Sequence, residues 1–270
     1  MTQNLDPDYH NQIWCGNCVD LLKKVQSETV DLIVTSPPYD DLRQYEGYDF
    51  DFPSIAPQLL RILKPGGIVV WVVADGTVNG SETGTSFRQA LYFMDIGFRL
   101  HDTMIYKRNA VKMPDKKRYF NCFQYMFVFS KGSPKTVNLI KDHKNKTAGK
   151  KANKRYQREA DGKMKERAPY CRPTHSVRWN IWTYDVGSLI MADDRLWVNH
   201  PAIFPLKLAE DHIRSWSNEG DLVLDPMCGS GQTLIAAKKL KRNYLGIDIS
   251  DKYCNLSEER LKLYNMSNNS

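Results

Sequence analysis

Apolar positions along the chain switch repeatedly between short continuous runs and a spacing of three to four residues. Runs of that first kind read as buried strands and the spaced kind as amphipathic helices. From Asn11 to Val25 the pattern predicts a short strand, a Gly16-Asn17 turn and a helix of one to two turns with Val19, Leu22 and Val25 inward. Val30-Asp31-Leu32-Ile33-Val34 predicts a core strand, stopped by Pro37 and Pro38, which cannot donate to a ladder. A helix follows over 52–63 with Ile55, Leu59, Leu60 and Leu63 on one face, ended by Lys64-Pro65-Gly66-Gly67. Ile68 to Ala74 is wholly apolar, as expected of a central parallel strand. A loop over 76–85, a helix over 86–96 and strands over 99–107 and 123–129 continue the α/β alternation.

The alternation stops at 133–178 and resumes at His200-Pro201-Ala202-Ile203-Phe204-Pro205, ahead of a helix carrying Leu208, Ile213 and Trp216. A strand ending at Asp225, a helix over 232–240 and a strand over 244–247 ending at Asp248 close the pattern. With 270 residues, of which 41% are hydrophobic, one large α/β domain with an insertion is expected.

Charge sharpens the view of the interruption. The formal net charge is +7, yet residues 133–178 hold fourteen Lys or Arg against four acids, so the rest of the chain is slightly acidic. A solvated or disordered face is one reading of such a run; contact with a nucleic-acid backbone, through Lys150, Lys151, Lys154, Arg155 and Arg178, is the other. At its edge Arg178-Trp179-Asn180-Ile181-Trp182 supplies aromatics that stack on bases or dock the segment on the core. No stretch approaches eighteen apolar residues, and the first residues lack the basic and apolar regions of a signal peptide, so a soluble cytoplasmic protein is expected, with no membrane partner. Six scattered cysteines, with only Cys15 and Cys18 closely spaced, predict reduced thiols and no metal.

Two places carry candidate chemistry. Ser36-Pro37-Pro38-Tyr39 stands at the carboxyl end of a core strand, where open α/β sheets bind ligands. An exocyclic base amine is a poor nucleophile because its lone pair is delocalised into the ring, so an enzyme that alkylates it needs acceptors that favour a tetrahedral nitrogen. Ser36 Oγ and the Pro37 carbonyl are suited to that, Pro38 stiffens the turn, and Tyr39 offers a flat face to a flipped base. A rigid proline loop is the bland alternative. The polar loop that follows carries Arg43 and Tyr45 as candidates for phosphate or base contact.

The second place is Asp225-Pro-Met-Cys-Gly229-Ser-Gly231-Gln-Thr233, followed by Asp248. Strand, glycine turn, helix, strand and acid at this spacing suit a nucleoside cofactor, with helix amides facing an anionic group and Asp248 facing a ribose diol. Asn17 either meets a ligand ring edge or takes left-handed backbone geometry in a turn.

These two motifs resemble those of the S-adenosylmethionine-dependent DNA amino-methyltransferases that modify N4 of cytosine or N6 of adenine. Their order is similar to the beta group of that family: catalytic tetrad, target-recognition segment, cofactor motif. The resemblance implies a circularly permuted, Rossmann-like α/β/α sandwich, mostly parallel with a hairpin at one edge, divided into a catalytic half (1–132), a basic target-recognition insertion (133–178) and a cofactor half (179–270). It implies that Asp225, Gly229, Gly231 and Thr233 hold the methionine end, Asp248 the ribose, and Asn17 with Cys18 the adenine; family members more often carry Asp at 17 and Phe at 227. Double-stranded DNA is the expected partner, and the resemblance also allows a homodimer and a cognate restriction endonuclease. Ser36 and the 200–205 segment lean toward N4 of cytosine, with N6 of adenine as the alternative. An RNA or protein-amide methyltransferase, or a non-enzymatic nucleic-acid-binding protein, are the readings from other classes.

Overall fold

The computed structural model describes residues 9–38, 50–109, 117–152, 155–168, 170–185 and 205–268. Its first half contains β1 (Gln12–Cys15), α1 (Cys18–Leu22), β2 (Val30–Thr35), α2 (Phe52–Ile62), β3 (Leu63–Val73), the small pair β4 (Thr77–Val78) and β5 (Ser81–Glu82), α3 (Thr85–Asp95), β6 (Arg99–Arg108) and β7 (Phe123–Ser130). Six short strands follow: β8 (His143–Lys144), β9 (Lys151–Ala152), β10 (Arg155–Arg158), β11 (Met164–Arg167), β12 (Tyr170–Cys171) and β13 (His175–Ser176). The chain ends with β14 (Ile181–Tyr184), α4 (Leu206–Trp216), β15 (Leu222–Asp225), α5 (Gln232–Lys239), β16 (Asn243–Asp248) and α6 (Asp251–Asn268). It divides into two compact units, 139–179 and the remainder.

The larger unit is built on an eight-stranded sheet of order β1-β16-β15-β2-β3-β7-β6-β14. Two strands from the carboxyl-terminal part thus lie between the first and second strands of the amino-terminal part, which is the permuted connectivity. Pairing is parallel from β1 through β3, antiparallel on both sides of β7, and parallel again between β6 and β14. Within this sheet β7 therefore runs against the other seven strands. The β6–β7 hairpin is not at the edge, where the family resemblance put it: β14 lies outside it, with Trp182 and Tyr184 alternating inward and buried. The aromatics at 182 and 184 serve the core.

Alternation along the central strands explains the layers. Ile33, Val69, Trp71, Val73, Phe127 and Phe129 share one face with Leu22, Ile55, Leu59 and Phe93 from α1, α2 and α3. On the opposite face α4 packs against β2 and β3, and α5 against β15 and β16. The result is an α/β/α sandwich. Lys64-Pro65-Gly66-Gly67 is a second departure from the pattern: it belongs to β3, which α2 enters directly through Leu63 in extended geometry (φ −72°, ψ 133°). The ladder tolerates Pro65 because the register shifts between Val30 and Leu32.

The smaller unit has backbone order that its sequence did not advertise. Three antiparallel pairs, β8 with β13, β9 with β12 and β10 with β11, succeed one another along a single ribbon. No helix among the described residues is long and apolar enough to cross a membrane.

Candidate active site

β2 is buried along almost its whole length, and the chain leaves it at Ser36, which is half-buried, followed by the buried Pro37 and the half-buried Pro38. Tyr39, Arg43 and Tyr45 lie outside the described residues. The strand next to β2 in the sheet is β15, paired through Val223–Leu32 and Leu224–Ile33, so Asp225 ends its strand beside the start of the Ser36 turn. The hydroxyl of Thr233, at the start of α5, donates to the carbonyl of Val34 at 3.1 Å and ties the two places together.

Asp225 is 2% exposed and accepts from the Met227 amide at 3.1 Å. Burial pushes its pKa up to about 6, and the adjacent Asp248 charge adds to this, while the Thr35 and Thr233 hydroxyls and the Met227 amide oppose it. Thr35 Oγ1 is near enough to bias that carboxylate yet makes no hydrogen bond of good geometry; like Ser230 Oγ it is a buried hydroxyl with no hydrogen-bond partner among the described residues. Native interiors rarely leave such groups unsatisfied. Both flank the same strand ends, so a polar ligand there has hydroxyls waiting for it.

The glycine turn is held from two sides. Asp248, at the end of β16, accepts from the Gly229 amide at 2.8 Å through one oxygen and from the Ser250 amide at 3.0 Å through the other. From α6, Ser257 Oγ donates to the Gly229 carbonyl at 2.7 Å, and Arg260 donates to the Ser230 carbonyl and, at 2.8 Å, to Gln232 Oε1. Arg260 is 1% exposed. Gly231 has φ +77°, and a Cβ on it would stand 2.8 Å from Ser257 Oγ, so the residue is glycine for both conformation and space. Ser257 and Arg260 were not legible in the sequence, because they sit on a polar carboxyl-terminal helix whose pattern reads as solvent-facing.

At the neighbouring strand end the Gly16 amide donates to the Asp248 carbonyl at 2.8 Å, bringing the β1 turn against β16. Asn17 does not take left-handed geometry: with φ −62° and ψ 124° it caps α1, and its side chain accepts from the Val19 amide at 2.8 Å. The positive-φ residue of that turn is Gly16. Cys18, the first helical residue, is half-buried, and burial pushes its thiol up to about 11. It stays protonated near neutrality, unsuited to nucleophilic or metal chemistry and suited to packing against a ring. The structure therefore brings Asn17, Cys18, Asp225, Gly229, Gly231, Thr233, Asp248 and Ser36 to the carboxyl ends of four consecutive strands, β1-β16-β15-β2.

The basic candidates belong to the separate 139–179 unit. Lys150 precedes β9, Lys151 opens β9 and Arg155 opens β10, while Lys154 lies outside the described residues. Arg178 is committed within its own unit: its guanidinium donates to Asp142, with Nε 3.0 Å from both carboxylate oxygens.

Comparison with known proteins decides what this arrangement belongs to. A family model described as DNA methylase, of the N6/N4 class, matches residues 30–259, spanning both motifs. The chain belongs to the N6/N4 DNA methylase family. As such it is a DNA amino-methyltransferase. The methylase is 55% identical over 238 residues to the orphan methyltransferase M.BamHII of Bacillus amyloliquefaciens, covering 87% of this chain and 90% of that one. In fold it is similar to the cytosine-N4-specific PvuII DNA methyltransferase (TM-score 0.67, 20% identity, 95% of this chain and 92% of that one). It is also similar in fold to M1.HpyAVI, solved as a SAM complex (TM-score 0.62, 22% identity, 92% and 98% covered).

Proposed function

We propose that this DNA methylase takes a methyl group from S-adenosylmethionine and places it on N4 of a cytosine flipped out of duplex DNA, in the cytoplasm. One observation carries the reading: the Ser36-Pro37-Pro38 turn and the Asp225–Asp248 site occupy adjoining strand ends of one sheet. A donor methyl and an acceptor amine held there are within reach of direct transfer, which needs position and electrostatics more than a covalent nucleophile.

The cofactor supplies an electrophilic methyl group on a sulfonium centre. Its fit to this site rests on the two buried hydroxyls of Thr35 and Ser230 that have no hydrogen-bond partner among the described residues, and on two carboxylates at strand ends. Asp225, ionised above about pH 6, would accept from the positively charged methionine end, and Asp248, whose carboxylate accepts the Gly229 and Ser250 amides, would accept from the ribose diol. Asn17 and Cys18 would flank the adenine. On the substrate side Ser36 Oγ and the Pro37 carbonyl accept the two N–H bonds of the base amine. As the new N–C bond forms and the methyl–sulfur bond breaks, leaving a neutral thioether, the nitrogen sheds one proton to solvent, and no cysteine takes part.

A neutral hydroxyl at position 36 favours cytosine; N6 of adenine is the second reading, since both bases present an amine on the Watson–Crick edge. Incubation of unmethylated duplex DNA with the protein and labelled S-adenosylmethionine tests the proposal. Label is expected in DNA and absent from RNA and protein, and Ser36→Ala is expected to abolish most of it while leaving cofactor affinity near wild type.

A further inference from the structure

The 139–179 unit holds thirteen Lys or Arg against four acids, and its backbone forms one antiparallel ribbon. Between the β8–β13 and β9–β12 pairs the strands stay linked: Asn145 N donates to Thr174 O at 2.9 Å and Gly149 N to Arg172 O at 3.0 Å. The ribbon turns at Glu159–Lys163, where Glu159 N donates to Lys163 O at 2.9 Å and Gly162 has φ +84°. All four residues of β11 are exposed, although successive side chains of a strand point to opposite faces. The outer ribbon therefore has solvent on both faces and no core of its own, an arrangement that packing alone does not explain.

The register sorts its residues. Arg155 pairs with Arg167 and Gln157 with Lys165 on one face; Tyr156 pairs with Glu166 and Arg158 with Met164 on the other. The four positions of the first face are occupied by cationic and amide residues alone. On it Arg167 Nε donates to Gln157 Oε1 at 3.2 Å, which orients the amide, and Glu159 at the turn accepts from Lys165 at 3.3 Å and from Arg167 at 3.5 Å. These pairs are exposed, and pairs of that kind are weakly held and easily exchanged for another acceptor.

We propose that this outer ribbon, Arg155–Arg167, enters the major groove of duplex DNA and that Gln157, Lys165 and Arg167 read base edges there; the inference rests on the DNA-methylating function proposed above. A two-stranded ribbon fits a groove about 12 Å wide, and the donors of Arg, Lys and Gln match the guanine O6/N7 and adenine N6/N7 edges exposed in it. Strands of four residues at about 3.4 Å each run alongside roughly four base pairs. The opposite face carries a single cation, Arg158, among Glu166, Tyr156 and Met164, and so matches those edges less well.

The test measures which sites in a duplex library with randomised positions are methylated by wild type, Gln157→Ala, Lys165→Ala, Arg167→Ala, Tyr156→Ala and Met164→Ala. For Arg167→Ala and Gln157→Ala, discrimination is expected to relax by about 10- to 100-fold at one or two base-pair positions, with S-adenosylmethionine affinity unchanged. Tyr156→Ala and Met164→Ala are expected to keep the wild-type preference. Uniform loss of methylation across all sequences, or an unchanged preference in the Gln157, Lys165 and Arg167 variants, overturns the base-reading assignment while the proposed function stands. A shift of preference in the Tyr156 or Met164 variants alone overturns the choice of face. A wild type that methylates no duplex removes the function itself and this inference with it.

Discussion

The cofactor half and the basic ribbon differ in how sequence specifies structure. Around β15 and β16 the polar side chains are bound to particular partners: Asp248 holds two amides, Thr233 ties α5 to β2, and Arg260 and Ser257 brace the glycine turn from beneath. Along the outer ribbon the described side chains are largely exposed, and the backbone ladder holds the order. The first region must meet one small ligand to within fractions of an ångström. The second, on the reading proposed above, meets a polyanion, for which charge, reach and one patterned face suffice. The contrast predicts that single changes in the core site act sharply and on one step, whereas changes in the ribbon act gradually and through salt or sequence.

Ser36→Ala gives the largest effect. Loss of one preorganised polar group at a reacting centre lowers the transfer rate about 10²-fold or more, with cofactor affinity unchanged, as single-turnover kinetics and calorimetry can show. Asp248→Ala comes next: removal of a pair of charged-acceptor hydrogen bonds, worth roughly 1.5–3 kcal/mol, weakens S-adenosylmethionine binding about ten- to a hundred-fold. Unchanged calorimetric affinity in that variant removes Asp248 from the cofactor site. Changing Lys150, Lys151, Lys154 and Arg155 together to Ala leaves cofactor affinity intact and flattens the salt dependence of DNA binding by about one unit of slope for each phosphate no longer neutralised. An intact slope means that these cations meet no phosphate, and the contrast between the two regions fails.

Smaller effects test the bracing and the charge. Arg260→Met withdraws two donors from the glycine turn and is expected to raise KM for the cofactor several-fold, with kcat nearly unchanged and Arg260→Lys intermediate, since net hydrogen bonds of this kind are worth about 1 kcal/mol each. Asp225 sets a pH dependence. Its folded pKa of about 6 stands above the ordinary 3.8, so its contribution to the stability of the cofactor-free protein is full below the ordinary value and is lost as pH rises through about 6. A cation held beside the carboxylate favours its ionised form. S-adenosylmethionine should therefore bind more tightly, and raise Tm by more, at about pH 8 than at about pH 5. Asp225→Asn should flatten both trends.

Much of the first region was legible because it uses periodicity and punctuation that act locally. Buried strands such as Val30–Thr35 and Leu222–Asp225 are apolar in runs, and the glycine turn and the acids at their ends lie within a few residues of them. What escaped notice there acts across the fold: Arg260 and Ser257 reach the turn from a helix roughly thirty residues away. Pro65-Gly66-Gly67 has the composition of a turn, yet it enters a strand because the register of β2 against β3 slips at that point. The ribbon had no local signal, since neither of its faces is apolar and period-two alternation of polar residues is invisible in a hydropathy pattern. Trp182 was ambiguous for the opposite reason: aromatic side chains suit both a base stack and a core, and β14 resolves it into the core.

Nucleoside mass spectrometry of unmethylated duplex DNA, treated with the protein and S-adenosylmethionine and digested, tests the central claim most directly. N4-methylcytosine, absent from DNA treated with Ser36→Ala, is the expected product. N6-methyladenine without N4-methylcytosine contradicts the choice of base, and DNA carrying neither contradicts the assignment of the strand-end site to amino-methyl transfer.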